Sequence, residues 1–320
     1  MRFLNLKLSL IFIVLYFLLS FCLVFGENLK IVATYNYLGW IAKQIGGDKV
    51  DVQVIVPPQQ DPHNVIPKPA MIVALKRANV LILNGLSLEA AFLPSLLNIA
   101  GNRNIDPQTP GFIDCSNFIP IILEKPDSPK FVSSDIHPYG NPHYILDPRN
   151  SLYIAQGIHQ KLIVLKPDYK PYFDQNFSKF KKEFDTHIKD LQEKIAPLKG
   201  KRFIAYHKLF EYFAYFGDFK IVDYLEPNPG IPPTPTQIDK IIKICNDKNN
   251  QINAILSTVY FEKKTPTRIS QITGIPVIIL PHDINSIQGI ETLWQLYEYI
   301  TDSLLKTVYP KENNNQKTVK

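Results

Sequence analysis

Cysteine is scarce in this chain of 320 residues: three in all, at positions 22, 115 and 245. No Cys-x-x-Cys or Cys/His zinc-knuckle spacing occurs. Cys115 and Cys245 read as two buried thiols, with a disulfide between them left open. Glycine is also sparse, 14 against 26 prolines, which argues for stiff connections between elements. Charge of either sign is not concentrated. The net charge is +6, and the termini hold most of it: Arg2 and Lys7 at one end, Lys311, Lys317 and Lys320 against Glu312 at the other. No lysine-arginine cluster tracks a single face, which excludes nucleic acid as a partner. No His-Glu-x-x-His helix is present, so that route to a zinc hydrolase is absent. What the chain does have is apolar substance. Hydrophobic residues make up 45% and aromatics 12%, enough to build real cores, and the length fits two ordinary domains.

Residues 1–26 are read as outside the fold. Arg2 and Lys7 precede an almost unbroken apolar run from Leu8 to Phe25, the pattern of an export signal, with Val24 and Gly26 suited to a cut before Glu27. Two alternatives stand beside cleavage: an uncleaved membrane anchor, since the run is 18 residues long, and lipidation at Cys22. All three place the body outside the cytoplasm, in a periplasmic or other extracytoplasmic compartment.

From Leu29 onward, short apolar runs alternate with helical patterns. Leu29–Tyr35, Val52–Val56, Val80–Asn84 and Phe112–Cys115 read as buried strands, separated by helices near Leu38–Ile45, Pro69–Ala78 and Leu88–Ala100. The pattern resumes at Phe203–Tyr206, Lys220–Val222, Ile252–Leu256 and Pro276–Leu280, with helices near Lys208–Gly217, Pro235–Asn246, Pro266–Ile272 and Ile287–Lys306. This is an α/β protein with parallel sheets in two Rossmann-like lobes. Between them, Phe173, Phe177, Phe180, Phe184, Ile188, Leu191 and Ile195 recur at steps of 4, 3, 4, 4, 3 and 4, with Pro171 at the start and Pro197 at the stop. That is one long rigid spine helix, about 37 Å at roughly 1.5 Å per residue. The expected organisation is an N-terminal lobe over 27–168, a linking helix over 169–197, a C-terminal lobe over 198–308 and a disordered tail over 309–320.

In parallel sheets ligands bind beyond the carboxyl ends of strands. His63 follows the strand Val52–Val56, His207 follows Phe203–Tyr206, and Asp283 follows Pro276–Leu280. His143 lies just ahead of Asp147-Pro148, a helix start. Two candidates come from each half, so a cleft between lobes would gather three imidazoles and a carboxylate, a set suited to a borderline ion such as zinc. Asp283 alone also reads as a helix cap, before the helix near Ile287. His187 reads as a solvated residue on the spine, His159 sits within a helix, and His137 is a further contributor to consider.

At this point a resemblance becomes specific. Lys30-Ile31-Val32-Ala33-Thr34, Ile45-Gly46-Gly47-Asp48, Val56-Pro57-Pro58 with Gln60-Asp61-Pro62-His63, Asn84-Gly85-Leu86 with Leu88-Glu89, and Gly140-Asn141-Pro142-His143 with Leu146-Asp147-Pro148 occur in order. The sequence resembles the extracytoplasmic solute-binding proteins of zinc and manganese ABC transporters, the class with a rigid helical linker, over about residues 29 to 305. The resemblance implies His63, His143 and His207 as metal ligands and Asp283 as the fourth. It implies Zn2+, with Mn2+ as the alternative, as transported cargo, and a membrane permease as partner of a monomer. Two departures accompany it. Leu280-Pro281-His282-Asp283-Ile284-Asn285 is not the usual setting of the fourth ligand, so His282 stands as substitute or assistant. The stretch Lys125–Gly140 lacks the long His/Asp/Glu-rich loop of many zinc binders. Rival readings are a siderophore- or corrinoid-binding protein of the same fold and a secreted zinc-dependent hydrolase. The first wants Arg or Trp lining its cleft, where this chain offers only Trp40 and Trp294, both on helix faces. The second needs an open coordination position.

Overall fold

The computed structural model describes residues 27–124, 138–227 and 230–310. The apolar leader with Cys22, His137 and residues 311–320 lie outside them. Strands form where the chain runs apolar between polar turns. β1 (Leu29–Ala33), β2 (Val50–Val54), β3 (Val80–Leu83) and β4 (Phe112–Asp114) make one sheet; β5 (Arg202–Ala205), β6 (Lys220–Tyr224), β7 (Ile252–Thr258) and β8 (Val277–Leu280) make a second. The orders are β2-β1-β3-β4 and β6-β5-β7-β8, with every pairing parallel. All four residues of the central strand β3 are buried, as helices on both faces of a parallel sheet require, whereas the edge strand β2 buries only Val50 fully. Each sheet reverses its winding once, between β1 and β3 and between β5 and β7. A crevice opens beyond the carboxyl ends of the strands at such a point.

The helices are α1 (Asn36–Gly46), α2 (Pro69–Arg77), α3 (Leu93–Ala100) and α4 (Asn150–Leu165) in the first lobe. The spine is α5 (Lys170–Ile195). The second lobe holds α6 (Glu211–Gly217), α7 (Pro235–Asn246), α8 (Lys264–Thr273) and α9 (Leu293–Val308). Two helices start later than their apolar patterns suggest. Ahead of α3, Gly85, Leu86 and Ser87 all adopt positive φ, and the Glu89 carboxylate folds back onto the end of β3. Ahead of α9, Asn285 and Gly289 have positive φ, and the helix begins only where Thr292 and Gln295 cap each other's backbone N–H groups.

The spine runs 26 residues, about 39 Å. It buries Phe173, Phe180, Phe184, Leu191 and Ile195, and packs against α1, α4 and α9. Trp40 from α1 and Trp294 from α9 meet edge-on at 5.8 Å, and both lie on Phe180, at 6.0 and 5.7 Å. One lobe therefore touches the other through the spine's aromatic face, and a single apolar core runs from Leu29 through the spine to Leu304. A smaller cluster around Ile204, Ile241 and Ile269 serves the second sheet alone. His187, expected to be merely solvated, stacks on Trp294 at 4.7 Å and is held there by the same aromatic patch. Tyr309, placed at the start of the expected tail, is tied to the fold, its hydroxyl donating to the Pro197 carbonyl at 2.9 Å. Among the described residues no helix is long and apolar enough to cross a membrane.

Candidate metal centre

His63 sits in the turn that follows β2. The Asp61 carboxylate makes that turn: its Oδ1 accepts the His63 backbone N–H at 3.0 Å and lies 2.9 Å from His63 Nδ1, while Oδ2 accepts Asn64 Nδ2 at 2.9 Å. Burial pushes the Asp61 carboxyl up, but the His63 ring and Asn64 outweigh it and bring it down to about 2. An ionised Asp61 accepts a hydrogen bond from Nδ1–H, which keeps the proton on Nδ1 and makes Nε2 the nitrogen that carries the lone pair.

His143 is placed by a buried polar frame. Asn141 Oδ1 accepts the His143 N–H at 2.9 Å, and Asn84 Nδ2 donates to the Pro142 carbonyl at 3.0 Å. Asn84 is itself fixed by Glu89, whose carboxylate accepts Asn84 N–H at 2.7 Å, Gly85 N–H at 3.1 Å and the Thr34 hydroxyl at 2.8 Å. Burial pushes Glu89 up to about 7 against the pull of those donors. Position 85 must be glycine. Its φ is +84°, and a Cβ would stand 2.0 Å from Asp114 Oδ1. A pin from the other lobe secures the same segment: the Tyr212 hydroxyl accepts Leu123 N–H at 2.9 Å and donates to the Asn141 carbonyl at 3.0 Å, while Asn141 N–H donates to the Leu123 carbonyl at 2.9 Å.

His207 follows β5 directly. Glu226 Oε1 lies 3.2 Å from its Nδ1, at ion-pair distance but off the direction of a ring hydrogen bond. The Gly230 N–H holds the same oxygen at 2.8 Å. Glu226 and Asp61 were missed as functional residues at the sequence level. The strand-end rule that picked out the histidines reaches Glu226 too, just after β6, and Asp61 stands two residues before His63.

The three rings converge. Their centroids are 5.1 Å (His63–His143), 5.4 Å (His63–His207) and 6.1 Å (His143–His207) apart, each pair edge-to-face. One nitrogen from each lies within 4.8 Å of the others, and the residues are 4%, 6% and 5% exposed. Among the described residues no other His, Cys, Asp or Glu makes such a group. Tetrahedral zinc at about 2.0–2.1 Å from each nitrogen wants donors about 3.4 Å apart, so closing on an ion shortens any one nitrogen–nitrogen distance by about 1.4 Å at most.

Asp283 lies outside the triad. Its Oδ1 accepts Tyr37 N–H at 2.9 Å and Ile284 N–H at 2.7 Å; its Oδ2 accepts Asn36 N–H at 2.9 Å and Asn36 Nδ2 at 3.3 Å. It is a helix cap, though of α1 in the opposite lobe and not of α9. Burial pushes its carboxyl up to about 7, against the pull of these N–H groups. His282 also stays apart from the triad, with Nδ1 3.3 Å from the Thr258 hydroxyl and its ring edge-on to Tyr260; burial lowers it to about 3.

Comparison with known proteins bears on what this centre serves. The family model for the periplasmic zinc-uptake complex component A, ZnuA, matches residues 31–307. The manganese ABC transporter substrate-binding lipoprotein PsaA of Streptococcus anginosus is 26% identical over 258 residues, 79% of each chain. The metal ABC transporter substrate-binding lipoprotein SloC of Streptococcus mutans is 26% identical over 253 residues, 78% of this chain and 79% of its own. In three dimensions the chain is similar to the crystal structure of ZnuA, with a TM-score of 0.71 at 24% identity, covering 88% of this chain and 99% of that one.

Proposed function

The chain belongs to the family of the periplasmic zinc-uptake complex component A, and on that premise we propose that it captures a divalent transition-metal ion outside the cytoplasm and hands it to the membrane permease of an ABC importer. The family is one of transporter substrate-binding proteins, which carry their cargo without transforming it. The observation that carries the reading is the buried triad: three imidazoles from two lobes, with ligating nitrogens within 4.8 Å. His63 and His143 would hold the ion from one lobe and His207 from the other. The protein would act as a monomer, exported by its N-terminal leader and either released or tethered to the membrane.

Zinc is the preferred cargo in this reading. Three neutral nitrogen donors suit zinc, whereas manganese favours oxygen-rich sites. The named relative PsaA is a manganese protein, which keeps manganese as the second candidate. Calorimetric titration of chelator-stripped protein with zinc and then manganese tests this. One tight zinc per chain, weakened by His63→Ala, His143→Ala and His207→Ala, is the expected result. Folded protein that binds neither metal refutes it. Imidazole ligands must be deprotonated, so affinity should fall as pH drops through about 6.5. An isotherm unchanged from about pH 7.5 to about pH 5 would exclude a histidine site.

A further inference from the structure

We propose that Glu124 and Glu211 form a proton-operated latch between the lobes: one proton held by the carboxyl pair keeps the lobes joined at Asn141, and its loss loosens that junction. Glu124 and Asn141 belong to the first lobe, and Glu211 opens α6 in the second. The Asn141 side chain reaches across the boundary. Its Nδ2 lies 3.2 Å from Glu124 Oε2, 3.4 Å from Glu211 Oε2 and 3.1 Å from the Lys208 carbonyl, so two N–H groups face three acceptors. Glu211 Oε1 is buried and meets no donor among the described residues. An ionised Glu211 would therefore be an acceptor-only group with one shared N–H at the long end of hydrogen-bond range, a costly state for a buried charge. The charges that face it are Glu124 from the first lobe and Lys208 from its own, and Lys208 Nζ is already committed to Glu124 Oε1 at 2.7 Å. Tyr212 on α6 and Tyr224 on β6 are the other titratable neighbours, and burial pushes both hydroxyls up, so they stay neutral. Burial first, and the Glu124 charge next, push the Glu211 carboxyl up to about 7, against the pull of Tyr224 and Lys208. A value above the ordinary 4.5 means that the closed junction binds the proton more tightly than an opened, hydrated one. Closure is favoured in acid and weakens as pH rises through about 7. The latch touches the metal centre through one side chain, because Asn141 Oδ1 also accepts the His143 N–H at 2.9 Å. That consequence rests on the metal-carrier reading above: the seat of one ligand is tied to the pH outside the cytoplasm.

The test uses the metal-free protein. Infrared spectra in heavy water read protonated carboxyls by their carbonyl stretch. The wild type should lose one such band with a midpoint near pH 7, and Glu211→Gln should lack it. Glu124→Gln alters only the exposed partner and should move that midpoint down by about one pH unit, the effect of removing one nearby like charge. Hydrogen exchange at the backbone N–H groups of Leu123 and Asn141 reads the junction itself, since both lie in the Tyr212 pin beside the pair. Relative to Glu211→Gln, wild-type exchange there should be unchanged at about pH 6 and up to about tenfold faster at about pH 8, the excess of ionised over protonated Glu211 one unit above its midpoint. Any one of three results overturns the latch: no Glu211-dependent band in acid, a midpoint that Glu124→Gln leaves in place, or an exchange ratio flat across this range. Failure of the same folded protein to bind zinc would instead remove the metal-carrier reading and leave the latch standing.

Discussion

Removing the charge of Asp61 should weaken metal binding without disturbing the fold. In Asp61→Asn the amide oxygen can still accept the His63 N–H and Nδ1–H, now 3.0 and 2.9 Å from Oδ1. What disappears is the negative charge that makes the imidazole a better donor. The wild-type carboxyl is drawn from its ordinary 3.8 to about 2, despite burial that pushes the other way. With a quarter of the side chain exposed, a displacement of that size corresponds to on the order of 2 kcal/mol, shared between His63 and Asn64. A divalent ion on Nε2 feels the same field, so the expected loss is about 10- to 30-fold in affinity, within the about 10- to 100-fold typical of partners of metal-bound histidine. Competition against a chromophoric chelator near neutral pH, with Asn64→Ala alongside, reads the loss directly. Asn64→Ala should cost about threefold or less, because it leaves the carboxylate on the ring. If Asp61→Asn binds within twofold of wild type while Asn64→Ala does not, the carboxylate–imidazole argument is wrong.

Other outcomes follow from the same structure. Glu89, Glu211 and Asp283 are each raised to about 7 by burial, so the folded state binds protons more tightly than the unfolded chain and stability should fall as pH rises from about 4.5 to about 7. His282, lowered to about 3 by burial, works against this as pH falls below 6.5, but one group opposes three. Thermal unfolding in the presence of chelator should show a higher midpoint at pH 5 than at pH 8; the reverse order would contradict the buried carboxylates. Trp40→Leu and Trp294→Leu should couple by about 1 kcal/mol in a double-mutant cycle, the worth of an edge-to-face pair. Urea titration of the wild type should give one transition, since the lobes share a core, and two transitions would refute that. Asn84→Ala releases Pro142 and should weaken metal binding while sparing the pH dependence set by Glu89; equal loss of both would show that the frame around Glu89 had collapsed as a whole.

The fold was legible because each strand is a short apolar run and the spine's apolar face keeps a helical period for seven residues. All eight strands lie where those runs predict them, to within two residues at either end. The helix starts were less legible. Nothing local announces that Leu86 and Ser87 take positive φ, since that conformation is imposed by Glu89 reaching back to Asn84 and Gly85. The site divides in the same manner. His63 and His207 follow strands whose carboxyl ends parallel topology sends to one side, and His143 reaches the same place from the loop ahead of α4. Asp283 obeys the same rule, yet its carboxylate is engaged by amides 246 and 247 residues away. That competition is invisible in sequence, because the N–H groups of Asn36 and Tyr37 become donors in need of a partner only once α1 forms. Trp40 and Trp294 were legible as helix-face residues, but not as partners of each other across the spine.

The Tyr212 pin has a consequence for length. Leu123 and Asn141 are joined by a backbone hydrogen bond and fastened to one hydroxyl, so the two ends of the intervening stretch are set independently of what lies between them. Each doubling of a closed stretch costs only about 0.6 kcal/mol in closure entropy. The stem therefore makes this position a socket: extra residues, a tag or a reporter domain could be inserted between Leu123 and Asn141 without moving His143, two residues beyond the knot.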